Sequence, residues 1–235
     1  MDKTGNSKHQ TALDWVALLF LLITPWAFAE QWPEFPYPDH GRLSVVGDQM
    51  QVNGVPMQMF ELASRKKPAE VLDFYRHAWR KPSLEGGAGF SEIAMDGWQL
   101  ISRIEEPYLF VVQVGEYTMG TTVALLSLST LPVARLDHEP GEGFPSLGGT
   151  EFALDLVTDD PGKHGRTLQF HNRFSVMQNY RFYRRRFEAE GWGLLTDQTA
   201  GPEEAVLMMA RGSSELNMTF IRKDGKTHMV AVQTR

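Results

Sequence analysis

The chain has 235 residues, of which 42% are hydrophobic and 22% charged, ordinary globular values that exclude wholesale disorder. A net charge of −6 and a pI near 5.7 leave no basic surface for general nucleic-acid binding. Cysteine is absent, so disulfides and a lipid-modified cysteine after a signal are both excluded, and the core must hold by packing.

The N-terminus reads as an export signal over residues 1–29. Lys3 and Lys8 precede the apolar run Trp15-Val16-Ala17-Leu18-Leu19-Phe20-Leu21-Leu22-Ile23. Pro25 breaks it, and Ala27-Phe28-Ala29 supplies a small-x-small cleavage site before Glu30. From Trp15 to Ala29 the apolar stretch is shorter than the roughly 20 residues needed to span a bilayer. A retained inner-membrane anchor through residues 15–29 is the alternative, because Asp2 and Asp14 cancel the two lysines. Export without cysteine points to the bacterial periplasm, with membrane contact only through the signal segment or through partners.

Residues 30–40 alternate Pro33, Pro36 and Pro38 with Trp32, Phe35 and Tyr37. Prolines at that density favour extended geometry. Trp32, Phe35 and Tyr37 are therefore either a docking peptide for an aromatic groove or a tether packed on the protein itself.

A first module spans 41–130. Leu43–Met50 and Val55–Leu62 flank Asn53-Gly54, a strong type I′ hairpin signal. Pro68 opens a helix whose Val71, Phe74, Tyr75, Ala78 and Trp79 share one face. Pro82 ends it, a glycine loop at Gly86-Gly87 follows, and strands resume at Trp98–Arg103, Tyr108–Val114 and Thr121–Ser129. Residues 131–149 carry three prolines and four glycines and read as a linker. The second module, 150–235, repeats the plan. Phe152, Leu154 and Leu156 alternate in its first strand, and Leu168 and Phe170 belong to the returning one. Ser175 is an N-cap for a helix with Val176, Tyr180, Tyr183 and Phe187 on its core face, and Gly191 suits the C-terminal left-handed position. Strands Ala205–Ala210, Leu216–Arg222 and Thr227–Thr234 follow, the last after an Asp224-Gly225 turn.

The repeat is visible in residues. Phe74-Tyr75-Arg76 recurs 108 positions later as Phe182-Tyr183-Arg184, and the same offset sets Arg103 on Arg211. The expected fold is α+β, two tandem modules of about ββαβββ, each with a helix across an antiparallel sheet. The pattern resembles helix-grip modules found in tandem in bacterial envelope proteins.

Linear catalytic and metal signatures are missing. The chain has no G-x-S-x-G elbow, no H-E-x-x-H and no phosphate-binding glycine loop. Of seven histidines, His164 and His171 flank the second hairpin at a spacing that suits neither a strand pair nor a helical pair. They read as scattered surface residues, and no metal or cofactor is expected. Met57 and Met59 follow the hairpin turn and read as core fillers. The most specific polar feature is Arg181, Arg184 and Arg185, of which Arg181 and Arg185 lie opposite the apolar helix face. That cluster suits an acidic partner. Tyr75, Trp79, Trp98, Tyr108 and Phe110 either fill the space between helix and sheet or line a cavity there.

The expectation is a non-enzymatic periplasmic accessory or scaffold protein of a cell-envelope assembly, acting through protein–protein contacts. The alternative is a periplasmic carrier of a small apolar or anionic ligand held between helix and sheet.

Overall fold

Asn53 and Gly54 take φ angles of 51° and 78°, the pair of left-handed residues that a type I′ turn demands. They close β1 (Arg42–Val52) and β2 (Val55–Ser64) into a hairpin. Met119 with Gly120, and Asp224 with Gly225, close two later hairpins with the same pair of positive φ values. The computed structural model describes residues 32–82, 89–95, 97–131, 139–160, 162–199 and 201–235. The signal segment, Gly86-Gly87 and residues 132–138 of the 131–149 linker lie outside them. Contacts divide the chain into Met1–Glu34, of which 32–34 are described, and a unit Phe35–Arg235.

After β2 the chain continues through α1 (Pro68–Ala78), β3 (Ser91–Met95), β4 (Trp98–Glu105), β5 (Tyr108–Thr118) and β6 (Thr121–Thr130). Next come β7 (Glu151–Asp160), β8 (Lys163–Asn172), α2 (Val176–Ala189) and β9 (Gly193–Thr199). The chain ends with β10 (Glu204–Arg211), β11 (Ser214–Lys223) and β12 (Lys226–Thr234). All twelve strands form one antiparallel sheet in the order β3-β4-β5-β6-β2-β1-β7-β8-β12-β11-β10-β9.

This corrects the expected fold class. The described residues form a β-rich single sheet with two short helices of 11 and 14 residues, not two tandem α+β, helix-grip-like modules. Two physical causes account for the difference. First, β1 of the first half pairs with β7 of the second, Met50, Gln51 and Val52 opposite Thr158, Val157 and Leu156, so the sheet is continuous through the joint. Hairpin pairing is announced by its turn, whereas pairing between distant strands has no local signal. Second, each half holds a strand more than expected, β3 in one and β9 in the other, both at sheet edges. Neither carries the alternation that marks a half-buried strand; all five residues of β3 are exposed.

Element order does repeat. The segment β7-β8-α2 traces β1-β2-α1 at the 108-residue offset, and four strands follow each helix. On one face of the sheet, Phe110, Val112 and Val114 of β5 are buried with Ile101 of β4 and Leu126 and Leu128 of β6. Val71, Leu72 and Tyr75 are the buried residues of α1, which lies against β5. In the second half Tyr180, Tyr183 and Phe187 of α2 cluster with Leu207, Met218 and Phe220. Each such side chain contributes about 1.5–3 kcal/mol on burial. Met57 and Met59 are correspondingly not core residues. They are only half-buried and alternate with Leu62, which is fully buried on the α1 side.

The ends of both helices are tied down. Ser175 Oγ accepts from the Gln178 N–H at 3.2 Å while Gln178 Oε1 accepts from the Ser175 N–H at 2.9 Å, a capping box. Gly191, at φ 83°, follows α2 in the left-handed conformation. Arg103 Nη1 donates to the carbonyls of Trp79 (3.3 Å) and Lys81 (2.8 Å) past the end of α1. Arg211 Nη1 does the same for Glu190 after α2, at 3.0 Å. The two arginines matched in sequence share one task, satisfying carbonyls that the helix leaves open.

Candidate functional site

Helix α2 carries two stripes. Val176, Tyr180, Tyr183 and Phe187 are buried against the sheet. A second stripe, Gln178, Arg181, Phe182, Arg185 and Ala189, recurs at helical spacing on the outer side and lines a groove of 560 Å³. Leu147 and Phe174 complete its apolar wall, and Arg186 adds a third guanidinium.

Backbone anchors hold the apolar wall. The Phe174 N–H donates to Asn172 Oδ1 at 3.1 Å, and the Phe174 carbonyl accepts from Arg222 Nη1 and Thr227 Oγ1, both at 2.7 Å. Asn172 and Asn179 exchange side-chain amide bonds of 2.8 and 2.9 Å in a buried pair that locks β8 to the first turn of α2. Thr150 binds Leu147 through its N–H (3.1 Å) and hydroxyl (2.7 Å), and Asn172 Nδ2 donates to the same hydroxyl at 3.2 Å. A single polar network therefore sets Leu147, Phe174 and the start of α2 relative to one another. Such a preformed wall needs little ordering when a ligand binds.

The charges along the groove differ in their partners. Arg184 Nε donates to Glu188 Oε1 at 2.9 Å, and its pKa is held above the ordinary arginine value by Glu188 first and then by Tyr180. Arg186 pairs with Glu190 at 2.9 Å. Among the described residues Arg181 and Arg185 have no ion pair, and both are exposed. The structure thus brings Arg181 and Arg185 together over an apolar wall and leaves Arg184 outside the lining. Phe174, Phe182 and Leu147 were missed by sequence reasoning. Phe182 lies at helical spacing from Gln178 and Arg185 and so carries a local signal, whereas Phe174 precedes the Ser175 N-cap, Leu147 arrives from a loop, and neither has one.

The first half shows what the fold itself requires at these positions. At the 108-residue offset Arg181 and Arg185 correspond to Asp73 and His77 of α1. Asp73 is acidic and pairs with Arg76 at 2.7 Å. Arginine at these two helix positions is thus particular to the second half.

The aromatic sets separate. Phe35 is buried, its ring centroid 5.3 Å from Phe110, 6.3 Å from Trp79 and 6.4 Å from Tyr75. The Tyr75 and Trp79 rings lie 4.9 Å apart, tilted at 45°. Tyr75, Trp79, Phe110 and Phe35 thus fill the space beside α1. Tyr108 is half-buried at the start of β5. Trp98 is 39% exposed and lies elsewhere, lining a 370 Å³ hollow with Gly115 and Val123. Tyr37 is exposed, and Trp32 belongs to the separate Met1–Glu34 unit.

No helix among the described residues is long and apolar enough to cross a membrane. By its fold the chain is β-rich, its described residues forming twelve antiparallel strands and two helices. Comparison with protein-family models, with curated proteins and with solved structures gives no match.

Proposed function

We propose that this is a non-enzymatic exported accessory protein of a bacterial envelope assembly, which holds an acidic segment of a partner protein in the α2 groove. One observation carries the reading: two unpaired guanidiniums, Arg181 and Arg185, stand over the Phe174–Phe182–Leu147 wall, where the equivalent helix of the first half has Asp73 and His77. The fold tolerates an acidic residue at one of those positions and a histidine at the other, so structural need does not explain the two arginines. Guanidinium forks match carboxylates in two-point geometry, and aromatic walls beside them supply the apolar contact that anchors most interfaces. A segment alternating Glu or Asp with Leu or Phe fits both features. The export expectation rests on the 1–29 signal pattern.

The test combines a defined peptide with capture in the cell. A fluorescent peptide alternating Glu with Leu should bind the purified protein and be released by salt, since exposed charge attraction is screened. Arg181→Glu with Arg185→Glu should abolish binding while changing stability by no more than about 0.5 kcal/mol. A photo-crosslinking residue at Phe182 should trap an envelope protein in the exporting host, and trapping should vanish with the double reversal. Peptide binding that survives the reversal would overturn the reading.

A further inference from the structure

Strand register brings together three side chains that the sequence keeps far apart. His171 of β8 lies directly opposite Glu151 of β7 and directly opposite His228 of β12. Their buried neighbours Phe170 and Met229 belong to the α2-side core, so the Glu151–His171–His228 row points to the other face of the sheet. We propose that this row is a binding site for one borderline divalent transition-metal ion of the zinc(II) class.

The two imidazoles are 5.5 Å apart between ring centroids, with their planes at 67°. His171 Nε2 is 3.8 Å from Glu151 Oε2. His171 is short of partners at both nitrogens. Its Nδ1 is buried with no hydrogen bond, and its Nε2 lies beyond hydrogen-bond reach of the carboxylate. Nε2 is the ring nitrogen that faces Glu151, so it is the one placed to take an ion between the carboxylate and His228, with Nδ1 carrying the ring proton. Directly opposed residues in an antiparallel pair have β-carbons about 4.5–5.5 Å apart, a separation two imidazoles can bridge through one ion. Two nitrogens and one carboxylate oxygen, with water in the fourth position, form an open tetrahedral set. Imidazole ligands select zinc, nickel and copper over magnesium and calcium.

Among the described residues no three such side chains already stand at metal-bridging distance. Closure on the ion therefore requires rotation of Glu151 and His228. Both are exposed and free to rotate, whereas His171 is mostly covered and acts as the fixed member. Ile221 and Val230, on the open face beside His228, bring no competing charge.

The experiment is a calorimetric titration of Zn2+ into tag-free, chelator-treated full chain. One ion per chain is expected, with no response to Mg2+. His228→Ala should weaken binding at least tenfold and Glu151→Gln by a smaller factor. His164→Ala, which removes the separate His164–Asp159 pair at 2.6 Å, should leave it unchanged. Nitrogen chemical shifts of the His171 and His228 rings should move together with added zinc. No binding, binding that His228→Ala leaves intact, or loss of binding in His164→Ala would each overturn the proposal.

Discussion

Asn53 and Asp155 bind each other across the joint between the two halves. The Asn53 N–H donates to the Asp155 carbonyl at 2.8 Å, and the Asp155 N–H donates to Asn53 Oδ1 at 2.7 Å. Asn53 Nδ2 also donates to the Ala153 carbonyl at 3.4 Å. One turn residue thus closes the β1–β2 hairpin and continues the hydrogen bonding of β7. Asparagine suits both tasks, because it tolerates positive φ and its side chain imitates a peptide group. Asn53→Gly should keep the turn and lose the side-chain bonds, costing about 1–2 kcal/mol in chemical denaturation. Asn53→Ala should cost about 1 kcal/mol more, because alanine resists the left-handed backbone.

The same Asp155 carries the joint's buried charge. It is 2% exposed, and Arg166 clamps its carboxylate with bonds of 2.9 Å from Nε and 2.6 Å from Nη2. The Gly141 N–H donates to Oδ2 at 2.8 Å, which ties the segment before β7 to the same group. Arg166→Met would leave a buried carboxylate without its counter-charge. The expected loss is about 3 kcal/mol, measured by urea unfolding. A loss below about 1 kcal/mol would show that solvent reaches the carboxylate.

Phe35 and Tyr37 sit two residues apart in the proline-rich segment yet have opposite surroundings. Phe35 is 4% exposed among the rings of Phe60, Tyr75, Trp79 and Phe110, whereas Tyr37 is 42% exposed. Phe35→Ala should cost about 3–5 kcal/mol, the usual range for emptying an aromatic site in a core. Tyr37→Ala should stay within about 0.5 kcal/mol. Similar, small effects from both would mean that the segment detaches without disturbing the core.

These contrasts show which features the sequence exposes. Turns and helix stripes are local, so Asn53-Gly54, Asp224-Gly225, Pro68, Ser175 and the Tyr180/Tyr183/Phe187 face are legible from neighbouring residues alone. The recurrence of Phe74-Tyr75-Arg76 likewise reveals a repeated element order. Continuity of the sheet is different, because the register of Val52 on Leu156 depends on backbone groups about a hundred residues apart. β3 and β9 escape notice because an edge strand buries too little to impose alternation. The candidate site divides in the same way. Arg181 and Arg185 stand out on a helix face, but Phe174, Leu147 and the His171–His228 pairing are set by tertiary placement.

Tyr75 and Tyr183, equivalent in the two helices, share an uncommon condition. Both are fully buried, and neither hydroxyl has a hydrogen-bond partner. An unpaired buried hydroxyl costs about 1–3 kcal/mol, so Tyr75→Phe and Tyr183→Phe should each leave stability unchanged or raise it. Burial also pushes both phenols above the ordinary tyrosine value of 10.0. The sign of the pH effect follows from that direction. Below pH 10 folded and unfolded chains both keep these protons, and the contribution to stability is constant. Above it the unfolded chain releases them while the folded one retains them, so stability falls with rising pH. Each buried tyrosine adds about 1.4 kcal/mol per pH unit to that fall. Denaturation series between pH 9 and pH 11.5 should show a slope that each phenylalanine variant reduces by one tyrosine's share. Equal slopes in all variants would mean that the two phenols reach solvent in the folded protein.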